Sequence, residues 1–237
     1  MSKSKTHILV TGASRGIGEA IVDSLDRDNV TVVGQSTKGK NDLIAADFSQ
    51  HGAAAMLWEQ ALERLDGRVD VLVNNAGLFE PNPIASDDWL ESWNRTMTIN
   101  LTASAELCRL AVLHFQQRNE PGRIINIASR AAYRGDSPNH WHYAASKAGM
   151  VAMTKTIARA YAKDGILAFA ICPGFTMTDM AEDYLESRGG DKLLADIPLG
   201  RVAQPEEIAS IAHYCALDAP PSMTGAVLDA NGASFVR

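Results

Sequence analysis

Tyr143 and Lys147, in the run Tyr143-Ala144-Ala145-Ser146-Lys147, are the two residues of this sequence best placed to move a proton. A helical repeat puts residues four apart on one face, so the phenol and the ammonium can act together. An unperturbed tyrosine titrates near about pH 10, too high for exchange at neutrality, and a nearby cation stabilises its phenolate. One charge at about 4 Å in an effective dielectric of about 20 is worth ~4 kcal/mol, or about three pKa units, which predicts a Tyr143 proton exchangeable near neutral pH. The Tyr-x-x-x-Lys spacing recurs by chance in many helices, so its weight comes from its company. Asn74-Asn75-Ala76-Gly77 follows the apolar run Val69 to Val73, and Ser129 follows Arg123 to Ile127. Polar residues just past parallel strands sit where open α/β sheets bind ligands.

A second constellation lies near the beginning of the chain. Thr11-Gly12-Ala13-Ser14-Arg15-Gly16-Ile17-Gly18 joins an apolar run to a helical pattern. Glycines there let backbone approach a pyrophosphate, and the N–H groups and dipole of the helix start favour its charge. The spacing GxxxGxG differs from the common GxGxxG, but the strand and helix around it predict a dinucleotide loop. After the next strand come Gly34-Gln35-Ser36-Thr37-Lys38, with no Asp or Glu to receive ribose hydroxyls. A carboxylate there would repel a 2′-phosphate, whereas Arg15, Ser36, Thr37 and Lys38 can donate to one. The expected cofactor is therefore NADP(H), ahead of NAD.

These groups need a scaffold that holds strand ends together. Short β-branched runs alternate with helical patterns, as in repeated βαβ units. Strands are expected near His7 to Val10, Thr31 to Gly34, Leu43 to Ala46, Val69 to Val73, Arg123 to Ile127, Leu167 to Cys172 and Ala226 to Leu228. Helices are expected over Gly18 to Arg27, Ala53 to Leu65, Trp89 to Gln117, Tyr143 to Lys163 and Pro205 to Leu217. The fold class is α/β: a single Rossmann-type, doubly wound parallel sheet of about seven strands with helices on both faces, forming one domain over 1–237. The continuous apolar runs VDVLVN and GRIINIAS suit the sheet centre.

A formal net charge of -6, with no basic run, argues against nucleic acid. The start MSKSKTHILV has too short an apolar stretch for a signal core or membrane span, so a cytoplasmic protein is expected. Cys108, Cys172 and Cys215 form no CxxC pair and read as reduced core thiols. His140-Trp141-His142 offers two imidazoles without a third ligand, so no metal site is expected.

Taken together, TGASRGIG, NNAG, Ser129 and the Tyr143–Lys147 pair resemble the short-chain dehydrogenase/reductase family over nearly the whole chain. The resemblance implies that Tyr143 is the general acid for carbonyl reduction, or the base for alcohol oxidation. It implies that Ser129 orients the substrate oxygen, and that Lys147 lowers the Tyr143 pKa and holds the nicotinamide ribose. Asn100, in Thr98-Ile99-Asn100-Leu101, would support a proton-relay water. Asn74, Ala76 and Gly77 would steady the sheet beside the cofactor, and Asp47 and Phe48 would contact adenine. Pro173, Gly174, Phe175, Thr176 and Thr178 would line the nicotinamide. Ser129 and Tyr143 stand fourteen positions apart, one more than family members usually show, which leaves Ser137 as a substitute hydroxyl; Ser129, directly after its strand, has the more rigid support.

The stretch 175–198, with a Gly189-Gly190 hinge, is expected to form a substrate lid. Tyr133, Trp141, His142, Phe175, Met177 and Tyr184 are expected around the substrate. TGASRGIG, NNAG and the C-terminal half also resemble 3-oxoacyl-thioester reductases, which dock an acidic acyl carrier through basic residues. Lys163-Asp164 places an acid where those reductases commonly carry Arg, and Gln116-Gln117-Arg118-Asn119-Glu120 dilutes the basic helix end. The expected substrate is therefore a free small-molecule ketone or alcohol, with a 3-oxoacyl thioester of acyl carrier protein or CoA as the alternative. A non-catalytic NADP sensor is the alternative of another class. Apolar residues on several helix faces, including Met150, Met153 and Ile157, point to subunit contacts, and the resemblance implies a homotetramer, or else a homodimer.

Overall fold

A computed structural model describes residues 5–177 and 194–237. Seven strands form one sheet: β1 (Thr6–Val10), β2 (Val30–Ser36), β3 (Ile44–Ala45), β4 (Val71–Asn74), β5 (Gly122–Ile127), β6 (Ile166–Pro173) and β7 (Val227–Ala230). Their order is β3-β2-β1-β4-β5-β6-β7. All six pairings are parallel, with Val10 opposite Val73, Asn74 opposite Asn126 and Ile127 opposite Ile171. This is the Rossmann-type α/β sheet expected from the alternating pattern, and β4 lies at its centre.

The helices are α1 (Gly16–Leu25), α2 (Ala53–Arg64), α3 (Trp89–Met97), α4 (Ala103–Arg118), α5 (Ala131–Arg134), α6 (Trp141–Tyr161) and α7 (Pro205–His213). Two apolar layers sandwich the sheet. Leu9, Leu72, Ile124 and Ala168 face Leu57, Leu107, Phe115 and Ile157 of α2, α4 and α6. Ile8, Val73, Ile125 and Phe169 face Ile21 of α1 and Ile208 of α7. Strand β6 is buried along its whole length, which explains why ILAFAICP reads as an unbroken apolar run. Full burial of each large aliphatic or phenyl group contributes about 1.5–3 kcal/mol, so the sheet is the rigid part to which the site is attached.

Three local features depart from the expected elements. The single helix over Trp89 to Gln117 is divided by a π turn at Thr98–Thr102, which carries Asn100. The helix expected to run to Leu217 ends at His213 and continues as a second π turn, Tyr214–Asp218. The short helix α5, directly behind Ser129, was not expected at all; its four residues are too few to show a helical period. Helix α7 starts at the Pro205 position with a capping box, in which the Gln204 N–H donates to Glu207 Oε2 at 2.7 Å.

Met150 and Ile157 are buried within the chain, so core packing accounts for them and they offer no surplus surface for a second copy. Among the described residues, no helix is long and apolar enough to cross a membrane.

Candidate active site

The reversal of strand order falls between β1 and β4, and the loop after each strand opens into the crevice there. Thr11 ties the two loops together. Its Oγ1 accepts the N–H groups of Asn75 and Ala76, each at 3.0 Å, and Asn75 Nδ2 donates to the carbonyls of Thr11 and Gly12. Gly12 has φ +66°, and a Cβ on it would lie 2.8 Å from Ala76 Cα. Only glycine meets both conditions. A Cβ on Gly18 would run into the Gly12 carbonyl, so the glycine spacing is what lets the loop fold flat against β4.

This loop passes the test for a dinucleotide cradle. Helix α1 begins at Gly16 with Arg15 as its cap residue in extended conformation, and no cap side chain bonds to the helix start. Its first-turn N–H groups and positive dipole end face the loop side, with Ser14 and Arg15 exposed. Ile17 packs into the core beneath. At the β2 end, Ser36 is buried and its Oγ accepts the Gly39 N–H at 3.0 Å, while Thr37 and Lys38 are exposed. Asp47 Oδ1 accepts from both the N–H and the Oγ of Ser49, and these bonds hold its carboxyl below the usual range. Phe48 is in the core, so only its backbone can face an adenine.

Across the crevice, α6 presents Tyr143, half-buried, in its first turn and Lys147, buried, one turn on. Ser129, at the β5 end, is within hydrogen-bonding reach of the Tyr143 hydroxyl, and its own Oγ accepts the Ala131 N–H at 3.1 Å. Ser137 is engaged elsewhere, with its Oγ 2.7 Å from His140 Nδ1. Lys147 Nζ donates to the Ile127 carbonyl at 2.8 Å and lies 5.8 Å from the centre of the Tyr143 ring. Asn100 is wholly buried. Its Oδ1 accepts the Leu78 N–H at 2.7 Å, and its Nδ2 donates to the Leu78 carbonyl and to Ser146 Oγ. Ser146 in turn donates to the Tyr143 carbonyl at 2.7 Å. A Cβ on Gly77 would sit at ordinary contact distance, 3.5 Å from Lys147 Nζ and 3.6 Å from Asn100 Oδ1, which places this loop directly over both side chains.

The electrostatics differ from the expectation. Burial pushes the Tyr143 phenol up to about 12, against a lowering contribution from Ser129. Burial also pushes the Lys147 ammonium down to about 8. The spacing predicts the two charges about 4 Å apart, whereas the ammonium is bonded to the Ile127 carbonyl and lies 5.8 Å from the centre of the Tyr143 ring. Lys147 remains protonated at neutral pH, and Tyr143 keeps its proton. The pair is therefore set as an acid and a cation.

Behind Ser129, the Arg130 N–H donates to the Pro173 carbonyl and its guanidinium lies 4.9 Å from the Phe175 ring. The Gly174 N–H donates to Ala230, and a Cβ on Gly174 would meet Asn231 Cα at 2.8 Å. Thr176 is buried and pairs with Ala203. Pro173 to Thr176 thus run rigidly along the crevice. Thr178, Tyr184, the Gly189-Gly190 hinge and most of the expected lid lie outside the described residues.

The expected pocket wall is only partly brought together. Tyr133 is committed to the opposite side of α5, where its hydroxyl accepts from Arg237 Nη1 at 2.9 Å and its ring stacks with Phe235. Trp141 is half exposed against Trp89, and His142 is buried. The side chains that do flank the phenol are Phe79, edge-on to Tyr143 at 4.7 Å, and His140, stacked on Phe79 at 4.1 Å. His140 fits its reading as a loop or pocket residue, whereas Phe79 escapes the sequence, because a lone aromatic in a loop carries no periodic signal. Among the described residues, no three His, Cys, Asp or Glu side chains gather as a metal site.

Against known proteins, a family model described as enoyl-(acyl carrier protein) reductase matches residues 12–232. A 3-oxoacyl-[acyl-carrier-protein] reductase of Synechocystis sp. is 35% identical over 240 residues, covering 94% of each chain. Reductases of the same name from Vibrio harveyi and Escherichia coli are each 34% identical and cover 96% of both chains.

Proposed function

For a chain that belongs to the short-chain dehydrogenase/reductase family, and is thus an oxidoreductase acting on a carbonyl or hydroxyl group, we propose the NADP(H)-dependent reduction of a 3-oxoacyl thioester to the 3-hydroxyacyl thioester. The observation that carries the chemistry is the half-buried phenol of Tyr143 beside the Ser129 hydroxyl, with Lys147 one helical turn away. The names of the relatives support the thioester. The order of substrates drawn from the sequence, with a free ketone first, is thereby reversed.

The dinucleotide supplies the hydride when bound. Ser14, Arg15, Gly16, Ile17 and the α1 N-terminus hold its phosphates, with Gly12 and Gly18 shaping the loop. Arg15, Ser36 and Thr37 receive the 2′-phosphate. Asp47 and the Phe48 backbone face the adenine, and Asn74, Ala76, Gly77, Pro173, Gly174, Phe175 and Thr176 flank the nicotinamide end. Ser129 donates a hydrogen bond to the substrate carbonyl oxygen, and Tyr143 gives that oxygen its proton as the carbon accepts hydride, so the ketone becomes an alcohol. The departing proton leaves a phenolate, and the Lys147 ammonium stabilises it on turning from Ile127 toward Tyr143. Asn100 anchors the start of α6 through Ser146, and so fixes where the phenol stands. A pure sensor has no use for this proton machinery.

A second reading, reduction of a free ketone, rests on Asp164. It is exposed and accepts from Gln116 Nε2 at 2.8 Å, where an acidic carrier would be repelled. We take the protein to be cytoplasmic. Assembly into two or four copies is supported by the exposed Leu113 on α4 and by the outer edge of β7, which has no strand partner among the described residues.

The test is consumption of NADPH and, separately, NADH with acetoacetyl-CoA, a 3-oxoacyl carrier protein and simple ketones. Turnover of the thioesters with NADPH supports the proposal. Turnover of ketones alone selects the second reading, and equal use of NADH refutes the cofactor assignment.

A further inference from the structure

Gln35 and Ser36 close β2 after the apolar run Val32-Val33-Gly34, and the Gln35 side chain, the longer of the two, is only 2% exposed. Burying a carboxamide is unfavourable unless its donor and acceptor are both used. Both are. Its Oε1 accepts the Gly12 N–H at 2.9 Å, and its Nε2 donates to the Ala46 carbonyl at 2.7 Å. The main chain of the same residue adds a third tie, since its carbonyl accepts the Ala13 N–H at 2.8 Å.

Two successive N–H groups of the glycine loop therefore point at one residue of β2, and the same side chain reaches across to Ala46, the residue just past β3. Ala46 immediately precedes Asp47, the residue assigned to adenine, and Gly12 opens the loop assigned to the pyrophosphate. One carboxamide thus spans both ends of the adenosine site. We propose that Gln35 is a positioning residue for the dinucleotide: it fixes the separation between the phosphate loop and the adenine-facing segment before the cofactor arrives. Because it is uncharged, it does this without placing a carboxylate near the 2′-phosphate position. Preorganisation of this kind raises affinity by removing the ordering cost from the binding step.

The inference rests on the dinucleotide reading above, and its failure can be told apart from the failure of that reading. Affinity is measured by calorimetry for NADPH and for adenosine 2′,5′-bisphosphate, with the parent protein and with Gln35→Ala and Gln35→Glu. If the parent binds neither, the dinucleotide reading fails and this inference with it. If the parent binds, Gln35→Ala should weaken both ligands by about tenfold, the order expected from releasing two buried hydrogen bonds. The KM for NADPH should rise in parallel, with kcat at saturating cofactor within about twofold of the parent.

Gln35→Glu keeps an acceptor for Gly12 but opposes an oxygen to the Ala46 carbonyl, so it should weaken the adenosine fragment at least as much. A Gln35→Ala protein that melts lower yet binds NADPH as the parent does would overturn the proposal and leave Gln35 a structural residue only. Amide exchange of the ligand-free parent decides the matter where a variant fails to fold. Gly12 and Ala13 should be protected, and free exchange at both refutes the inference.

Discussion

Lys147→Met should make the protein more stable at neutral pH while abolishing its activity. Lys147 is 4% exposed and its pKa stands at about 8 in place of 10.5, because burial disfavours the charged form. That displacement corresponds to a penalty of about 3 kcal/mol on the folded state wherever the lysine must carry its proton. Methionine fills a similar volume without charge, but it leaves the Ile127 carbonyl without its donor, at a cost of about 1–3 kcal/mol. The net gain below pH 8 is about 1 kcal/mol, or about 2–4 °C in Tm for a chain of this size.

The pH dependence is the more specific signature. Below pH 8 the lysine is protonated in both folded and unfolded parent, so the full penalty is present and the variant is ahead. Between pH 8 and 10.5 the unfolded parent holds the proton more tightly than the folded one, so the stability of the parent rises with pH. The advantage of the variant therefore shrinks through this window and reverses once the neutral amine keeps its bond to Ile127. The raised pKa of Tyr143 acts from pH 10 upward and is common to both proteins. Thermal or denaturant unfolding of parent and variant at intervals from pH 6 to pH 10 measures the difference. A variant less stable at pH 6–7, or a difference flat across the range, would refute the assignment of a buried, strained charge.

Tyr143→Phe should lower kcat by at least about a thousandfold while leaving the calorimetric affinity for NADPH within a few-fold, since it deletes only the proton that is moved. Ser129→Ala should cost about a hundredfold in kcat and raise the apparent pKa of the phenol, because the hydroxyl that lowers it is gone. Ser137→Ala, whose hydroxyl faces His140, should cost less than about threefold; the reverse ranking in steady-state assays would transfer the substrate-orienting role to Ser137. Gly12→Ala must place a Cβ 2.8 Å from Ala76 Cα at positive φ, so it should weaken NADPH at least tenfold and lower the Tm by several degrees, as scanning calorimetry would record.

The sheet was legible because its strands are buried on both faces and so spell continuous apolar runs, as ILAFAICP does for β6. The glycine loop and the Tyr143–Lys147 pair were legible because their spacing is local. What escaped were relations between distant segments. That Gln35 reaches Gly12 and Ala46, or that Phe79 and His140 meet over Tyr143, depends on which strand ends and loops lie side by side. A polar residue closing an apolar run was the available signal for Gln35. The direction of the Lys147 ammonium was hidden as well, because spacing sets the helix face and the Ile127 carbonyl sets the rotamer. Pi turns such as Thr98–Thr102 keep the apolar pattern of an ordinary helix and leave no mark in it.

The reversal of strand order between β1 and β4 also divides the chain as a line of text. The residues from Gly12 to Phe48 that we propose for the adenosine half of the cofactor all precede the turn at Asp66-Gly67. Ser129 and Tyr143, which we propose act on the carbonyl, and Asn100 and Lys147, which support them, all follow it. A single genetic crossover at that turn would hand coenzyme choice to one parent and substrate choice to the other. The two must agree where they meet: β1 against β4, Asn75 on Thr11, α1 against α7, and α2 against α4. Descendants of such a chain can change what they reduce without relearning what they reduce it with.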